Sequence, residues 1–228
     1  MNYNKLLFFD IETVGKYRDV DELKKSDERL FKLLEKKIKN TGDKERWEGN
    51  SINEFYLNMS PLIPEYGKIV CISLGYTDES DKWIVQSYTG DEKDILEIVQ
   101  KIFLKSGKAG YVPCGYNIIL FDLPWINKKM IKYGLKIPYN ILLFDKKPWT
   151  TGVLDLSDAW KTTGRYWSSL DEVTYELDLP SPKGELSGDK VHYTYWVEDD
   201  IKKIVKYCEG DVFALKGLWD KLSQCITV

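Results

Sequence analysis

The sequence predicts an α/β fold, because runs with strand composition alternate along the chain with amphipathic helical patterns. Three observations support this prediction. An apolar run at 6–10 has the composition of a buried strand, two β-branched and aromatic runs at 68–76 and 82–88 flank a polar turn, and residues 200–222 repeat apolar side chains at steps of three and four. A chain of 228 residues is long enough to bury a full core as a single domain, 1–228.

The remaining elements follow from local patterns along the chain. Acidic residues in an opening turn before an apolar stripe predict a helix, and short β-branched runs between turn residues predict strands. On this basis the sequence predicts helices at 91–104, 122–133 and 169–177, strands at 111–116 and 153–156, and a Pro- and Gly-rich turn at 180–188.

An acidic pair follows the first predicted strand. Asp10 and Glu12 stand two residues apart in the segment FFDIET, so in a strand both side chains would lie on one face. Carboxylates held side by side repel each other, and the usual remedy is a hard divalent cation with oxygen ligands, such as magnesium or manganese. A strand that runs into an acidic loop gives the same pattern, so the pair alone leaves both a metal site and an ordinary polar surface open.

Two further segments place polar side chains beside predicted elements. Tyr207 and Asp211 are four residues apart in the helix at 200–222 and therefore share a helical face, on the flank of the apolar stripe. In the segment CGYNIILFDLP, Asn117 follows a short apolar strand and Asp122 opens the next helix. The chain thus carries acids at the ends of three distant elements.

Taken together, these motifs resemble those of the DEDD exonuclease superfamily: Asp-x-Glu after the first strand, Asn…Phe-Asp-x-Pro in the middle, and Tyr-x-x-x-Asp on the last helix. The tyrosine (DEDDy) subgroup is most similar, in particular the 3′-5′ exonuclease domain of family B DNA polymerases and, nearest, its short stand-alone relatives. The resemblance runs from Leu6 to about Leu222. It implies a ribonuclease H-like fold, a mixed five-stranded sheet with helices on both faces and acids clustered at one edge.

The resemblance also implies a two-metal-ion site for phosphodiester hydrolysis. Asp10, Glu12 and Asp211 would hold the first Mg²⁺ or Mn²⁺, while Asp10 would bridge to a second cation supported by Asp122. A water oriented by the Tyr207 hydroxyl would attack the terminal phosphodiester and release a nucleoside monophosphate from the 3′ end. A tyrosine with an ordinary pKa of about 10 is a poor general base at neutral pH, so positioning describes its role better.

Four residues are candidates for substrate contact. Asn117 would contact the strand near the terminal nucleotide, or would instead close its strand by bonding local backbone. Phe121 is expected to pack beneath the motif more than to touch a base. Lys161 and Arg165 belong to WKTTGRYW, where cations and aromatic rings are interleaved, and unpaired bases stack readily on such rings.

Residues 15–65 stand apart from the strand and helix alternation. Their charged helical patterns carry Leu23, Leu30, Leu34 and Ile38 at spacings that would form one packing face. We interpret this segment as a helical insertion after the first strand. Two roles for it are open: a lid over the active-site side, and a solvent-exposed helical segment with a structural role only.

Composition places the chain among ordinary water-soluble enzymes of the cytoplasm. No apolar run approaches the roughly 20 residues of a membrane span, and the N-terminal apolar stretch is too short for a secretory signal. The four widely spaced cysteines are interpreted as reduced thiols. A net charge of −3 is unusual for a nucleic-acid binder, but bound divalent ions would offset the site carboxylates.

The single histidine, His192, excludes several kinds of catalytic site. Zinc sites built on several histidines cannot form, and Ser-His-Asp or Cys-His chemistry would have to use this one residue. It also lies too far before Asp211 for the histidine version of the DEDD site. We interpret His192 as a loop residue near a turn.

The expected function is therefore metal-dependent 3′-to-5′ hydrolysis of single-stranded DNA or RNA ends, with DNA favoured. A proofreading role would need a polymerase or other repair partner in trans. Two alternatives are open: a catalytically silent module that binds 3′ ends, and a haloacid-dehalogenase-like phosphatase. The phosphatase would need a second Asp where Glu12 stands, and it leaves Tyr207 unexplained.

Overall fold

The computed structural model of the chain describes residues 5–40, 51–144, 152–161, 164–184 and 186–225. The strands of its sheet are β1 (Leu6–Gly15), β2 (Gly67–Thr77), β3 (Trp83–Thr89), β4 (Val112–Gly115) and β5 (Leu154–Asp155). Their order across the sheet is β3-β2-β1-β4-β5. Strand β2 is antiparallel to both of its neighbours, whereas β1, β4 and β5 are parallel. The prediction of a mixed five-stranded sheet is confirmed.

Helices cover both faces of this sheet. They are α1 (Val20–Ser26), α2 (Glu28–Asn40), α3 (Ile52–Met59), α4 (Glu92–Lys108), α5 (Asp122–Lys132), α6 (Leu156–Lys161), α7 (Leu170–Glu176), α8 (Val191–Tyr193) and α9 (Ile201–Gln224). Helices α4 and α5 pack on one face, and α6, α7 and α9 pack on the other. No described helix is long and apolar enough to cross a membrane.

Side-chain alternation along β1 assigns its residues to the two faces. Leu7, Phe9 and Ile11 join the core beneath α4 and α5. Leu6 and Phe8 join the core beneath α9. Because successive side chains of a strand point to opposite faces, Asp10 and Glu12 continue the second series. The two acids therefore lie on the face that α9 covers.

Strand β1 is longer than the sequence predicts. The prediction ended the strand at Asp10, but β2 pairs with it from Leu7 to Gly15, so both acids lie inside a paired strand. The pairing register shifts between Glu12 and Thr13, where Val70 of β2 is the extra residue. Such a bulge locally bends a strand and changes where its side chains point. The sequence prediction ended the strand too early because the continuous apolar run ends at Phe9.

The segment between β1 and β2 is helical, as predicted, and contains α1, α2 and α3. These helices share a small core that includes Leu23, Leu34, Phe55 and Tyr56. The Tyr56 hydroxyl accepts a hydrogen bond from the Tyr17 backbone N–H at 2.9 Å. Residues 41–50 of the predicted insertion lie outside the described residues.

The interpretation of His192 as a loop residue near a turn is wrong. His192 lies in α8 and is buried. Its Nδ1 accepts a hydrogen bond from Gly15 N at 3.0 Å, and its Nε2 lies 2.9 Å from Arg18 O. Because Nδ1 accepts, Nε2 carries the proton and donates to Arg18, and burial lowers the pKa of the imidazole. The neutral ring thus ties the end of β1 to the segment before α9.

Candidate active site

Helix α9 carries two polar side chains toward the acids of β1. Its buried positions include Ile204, Cys208 and Val212, which pack on the sheet. Tyr207 and Asp211, on the flank of this stripe, are consequently held beside Asp10 and Glu12. The negative charge of Asp211 acts on both β1 acids, and those acids act on the Tyr207 hydroxyl.

Asp122 reaches the site from the opposite side of β1. It is the first residue of α5 and is buried, and its Oδ1 accepts a hydrogen bond from Ile11 N at 3.2 Å. Strand β4 pairs with β1 only as far as Phe8, so the Ile11 N–H is free to bond a side chain. The fourth acid is therefore fastened to the backbone between Asp10 and Glu12.

Burial raises the pKa values of all four acids, and repulsion by other acids of the site adds to the shift of Asp10, Glu12 and Asp122. For Asp10 the cause is burial first, then the negative charges of the other three acids. Burial raises the pKa of Asp122 to about 8, and the Ile11 N–H acts in the opposite direction. Burial also raises the pKa of Asp211 to about 7. The pKa of Glu12 is raised by burial and by Asp211. In the described ranges, no lysine or arginine forms an ion pair with any of these acids.

Cys208 is a member of the site that sequence reasoning missed. Its Sγ lies 3.3 Å from Asp10 Oδ2 and 3.4 Å from Asp10 O. Ligand atoms of Asp10, Glu12 and Cys208 lie within 4.8 Å of one another. Its place in the apolar stripe predicted a core thiol, and nothing in that pattern signals a contact with an acid.

The chemistry of these groups fits a hard divalent cation. Four carboxylates converge, and no described lysine or arginine forms an ion pair with them; a cation with oxygen ligands relieves such repulsion. Zinc binding through Cys208 would need its thiolate, but burial raises the pKa of this thiol well above its ordinary value. The donor set therefore suits Mg²⁺ or Mn²⁺.

Asn117 lies in a strained turn that leads from β4 to α5. Its φ of 58° is left-handed, a conformation that Asn tolerates better than most residues. Its backbone N–H donates to Asp155 Oδ1 at 2.8 Å, and Ile119 N donates to Asp155 Oδ2 at 3.0 Å. The Asn117 carbonyl accepts from Leu120 N and Phe121 N. The backbone of Asn117 thus closes the turn, and no hydrogen bond within the described chain involves its side chain.

The other predicted substrate contacts are Phe121, Lys161 and Arg165. Phe121 precedes α5 and packs its ring against Trp125, with centroids 6.1 Å apart. Lys161 ends α6, Arg165 follows in a loop, and both side chains are exposed. Nothing in the described ranges bonds either cation to the four acids. Residues 162–163 of this segment lie outside the described residues.

Lys183 is a second residue that sequence reasoning missed. Its Nζ lies 3.3 Å from Asp171 Oδ2, and its positive charge lowers the pKa of Asp211. The loop comes this close because Gly210 of α9 has no side chain: a Cβ there would lie 3.0 Å from Pro182 O. Lys183 lies in a turn rich in Pro and Gly. Such a composition predicts a turn but does not indicate which helix or strand the turn packs against.

The chain can now be compared with known families. A family model described as a predicted 3′-5′ exonuclease related to the exonuclease domain of PolB matches residues 60–223. The chain belongs to this family. The matched range includes Asp122, Tyr207 and Asp211. It begins after Asp10 and Glu12, so the family model does not cover those two acids.

Among solved structures, the family B DNA polymerase from the hyperthermophilic archaeon Pyrobaculum calidifontis is similar to this exonuclease-related chain, with 17% sequence identity and a TM-score of 0.57. The similarity covers 96% of the chain and 24% of that polymerase, so the chain spans about a quarter of its length. At this identity the comparison shows the ribonuclease H-like fold. A search of curated proteins found no match.

Proposed function

We propose that this chain is a metal-dependent 3′-to-5′ exonuclease of the DEDDy subgroup. It removes nucleoside monophosphates from single-stranded nucleic acid, with DNA as the favoured substrate. The observation that carries the proposal is the convergence of four acids from β1, α5 and α9 beside the Tyr207 hydroxyl, of which Glu12 and Asp122 are buried and Asp10 and Asp211 are partly buried. A structural role alone would not gather four like charges in one place.

The acids divide between two cation positions. Asp10, Glu12 and Asp211 would hold one cation, and Asp10 and Asp122 would hold the other. Two divalent cations bound there supply charge neutralisation and Lewis acidity for an in-line displacement at phosphorus. The hydrogen bond from Ile11 N holds the Asp122 carboxylate in place before any ligand arrives.

Tyr207 acts in this site as a neutral hydroxyl. Burial and the charges of Asp211 and Glu12 raise its pKa above the ordinary value, so the phenol keeps its proton at neutral pH. A protonated phenol both donates and accepts a hydrogen bond. It therefore orients the attacking water or a phosphate oxygen and does not serve as the base.

Positive charge for the substrate comes from outside the acid cluster. Lys183 is exposed and its charge already reaches Asp211, so it is our candidate for a phosphate contact at the cleavage point. Asn117 and Phe121 flank the entry to α5, and Lys161 and Arg165 are exposed candidates for contacts farther along the strand. Exposed Tyr166 and Trp167 lie beside Arg165 and offer rings on which bases can stack.

The test is a degradation assay on 5′-labelled single-stranded DNA and RNA of one sequence. It compares magnesium, manganese and chelator, and it compares wild type with Asp10→Asn. We expect one-nucleotide shortening from the 3′ end that needs the metal and falls by at least about 100-fold in Asp10→Asn, since losing a metal ligand costs no less than losing a group that supports one. Asp158→Asn, a change at an exposed acid of α6, is the matched control and should leave the rate unchanged.

Other outcomes of the same assay would replace the proposal. Retained binding of 3′ ends with no shortening in either metal would support a silent end-binding module. Release of phosphate from small monoesters, with strands left intact, would support a phosphatase. The faster of the two polymers identifies the preferred sugar.

A further inference from the structure

The Cys208 thiol touches the acid that serves both cation positions. Its Sγ approaches Asp10 Oδ2 at 3.3 Å and Asp10 O at 3.4 Å. The cysteine is fully buried, with 0% exposure, so no solvent molecule competes for the thiol proton. Cys208 is also the residue after Tyr207 and lies one helical turn before Asp211.

The direction of this hydrogen bond follows from the chemistry of the atoms. A backbone carbonyl and an ionised carboxylate only accept, so the S–H group must donate to Asp10. Among the described side chains, Cys208 is the one that donates to Asp10.

Packing leaves the sulfur little freedom to move. Cys208 lies in the core cluster of Val14, Val70 and Cys71. Cys71 also pairs with Glu12 across β1 and β2, and its thiol helps to raise the pKa of the Cys208 thiol. The thiol is thus held by the two strands that carry and support the acid pair.

Asp10 needs such a contact because its neighbours repel it. The charges of Glu12, Asp122 and Asp211 all act against its ionised form, whereas the bond from Cys208 favours that form. A carboxylate in this position gains by rotating away from the cluster unless a donor holds it. Groups that support a metal ligand in this way are commonly worth tenfold or more in metal affinity.

We propose that Cys208 is a positioning residue whose S–H group holds the Asp10 carboxylate toward Glu12 and Asp211 and thereby sets the affinity of the site for divalent cations. The inference rests on the proposed function for its metal. It does not require that the chain cut nucleic acid, so it is tested by metal binding alone.

The experiment measures Mn²⁺ binding to the full chain by titration calorimetry, without nucleic acid and with reductant present. We expect Cys208→Ala to weaken binding by about tenfold or more, and Cys208→Ser to stay within about threefold of wild type because a hydroxyl also donates. Cys114→Ala is the matched control: Cys114 is equally buried but packs with Leu6 and Phe8 beneath α9. It should leave the affinity unchanged, and thermal melts verify that each variant is folded.

Each contrary outcome has a distinct meaning. Equal Mn²⁺ affinity in Cys208→Ala and Cys114→Ala would overturn the inference, and so would a Cys208→Ser variant as weak as Cys208→Ala, since packing would then be the cause. A Cd²⁺ titration that gives a sulfur-to-metal absorption band lost in Cys208→Ala would make the thiol a ligand. A wild type that binds no Mn²⁺ would overturn the inference as well. Mn²⁺ binding that depends on Cys208, without strand cleavage, would remove the proposed function and leave the inference standing.

Discussion

At the scale of single residues, Asp155 shows how much of the site depends on a residue outside it. Its carboxylate accepts the backbone N–H groups of Asn117 and Ile119, together with the N–H and hydroxyl of Ser157. These bonds set the turn that delivers Asp122 to β1. Asp155 is buried, and its negative charge contributes to the raised pKa of Asp122.

We predict that Asp155→Ala destabilises the protein by at least about 3 kcal/mol, because it leaves the backbone N–H groups of Asn117, Ile119 and Ser157 without their acceptor, at roughly 1–3 kcal/mol each. Urea unfolding at equilibrium measures the change. Asp158→Ala, three residues later on an exposed position, should fall within about 0.5 kcal/mol of wild type. Equal losses in the two variants would contradict this account of the turn.

The residues that were predictable from the sequence are those with a motif around them. The four acids and Tyr207 stand in three motifs whose order and spacing are specific, and the structure brings them together. Cys208, Asp155 and Lys183 have no such signal. Their importance comes from contacts between segments far apart in the chain, such as the 198 residues between Asp10 and Cys208, and spacing along one segment carries no information about such contacts.

At the scale of elements, α9 is the helix on which the site is built. Its periodicity predicted it from the sequence almost to its ends. Two glycines interrupt it, and they meet different surroundings. A Cβ on Gly210 would lie 3.0 Å from Pro182 O, whereas a Cβ on Gly217 would lie 3.4 Å from the side chain of Leu179.

We predict opposite effects for alanine at these two positions. Gly217→Ala should raise the free energy of unfolding by about 0.5–1 kcal/mol, because alanine lowers the backbone entropy of the unfolded chain and its methyl group has room. Gly210→Ala should gain nothing or lose stability, because it pushes against the backbone that carries Lys183. Urea unfolding compares the two variants, and an equal gain in both would show that the Pro182 loop moves freely away from α9.

Other elements were less predictable than α9. Helix α6 has six residues and α8 has three, too few for a periodic pattern to develop. The continuation of β1 beyond Asp10 depends on pairing with β2, and the acids within it have low strand propensity. Pairing with β2, and not the local composition, therefore determines where β1 ends.

At the scale of the whole molecule, the acid cluster couples folding to pH and to metal. Unfolded carboxylates titrate near pH 4, whereas Asp211 and Asp122 titrate at about 7 and about 8 in the folded protein. Between these values the folded state binds more protons than the unfolded state, so stability falls as pH rises. The divalent cation of the proposed function would bind the deprotonated acids and offset the loss.

We predict that, in chelator, Asp211→Asn flattens the decline in unfolding free energy between pH 6 and pH 8 by on the order of 1 kcal/mol relative to wild type. Adding Mn²⁺ should stabilise wild type more at pH 8 than at pH 6, and stabilise the variant less. Urea unfolding at the two pH values measures both effects. A wild type whose metal-free stability falls no more steeply over this window than that of Asp211→Asn would contradict the raised pKa values.

The pairing of Gly15 with Gly67 at the ends of β1 and β2 has a consequence for the order of folding. The two central strands become neighbours only after a loop of about 50 residues closes, an entropic cost of about 3 kcal/mol more than a two-residue hairpin turn would impose. The helices of that loop possess their own core around Leu23, Leu34, Phe55 and Tyr56. If these helices fold first, they bring Gly15 and Gly67 together. The two strands can then begin to pair at the low entropic cost of a short turn. The helical insertion then holds the ends of β1 and β2 together. Its stability governs how fast the rest of the chain folds.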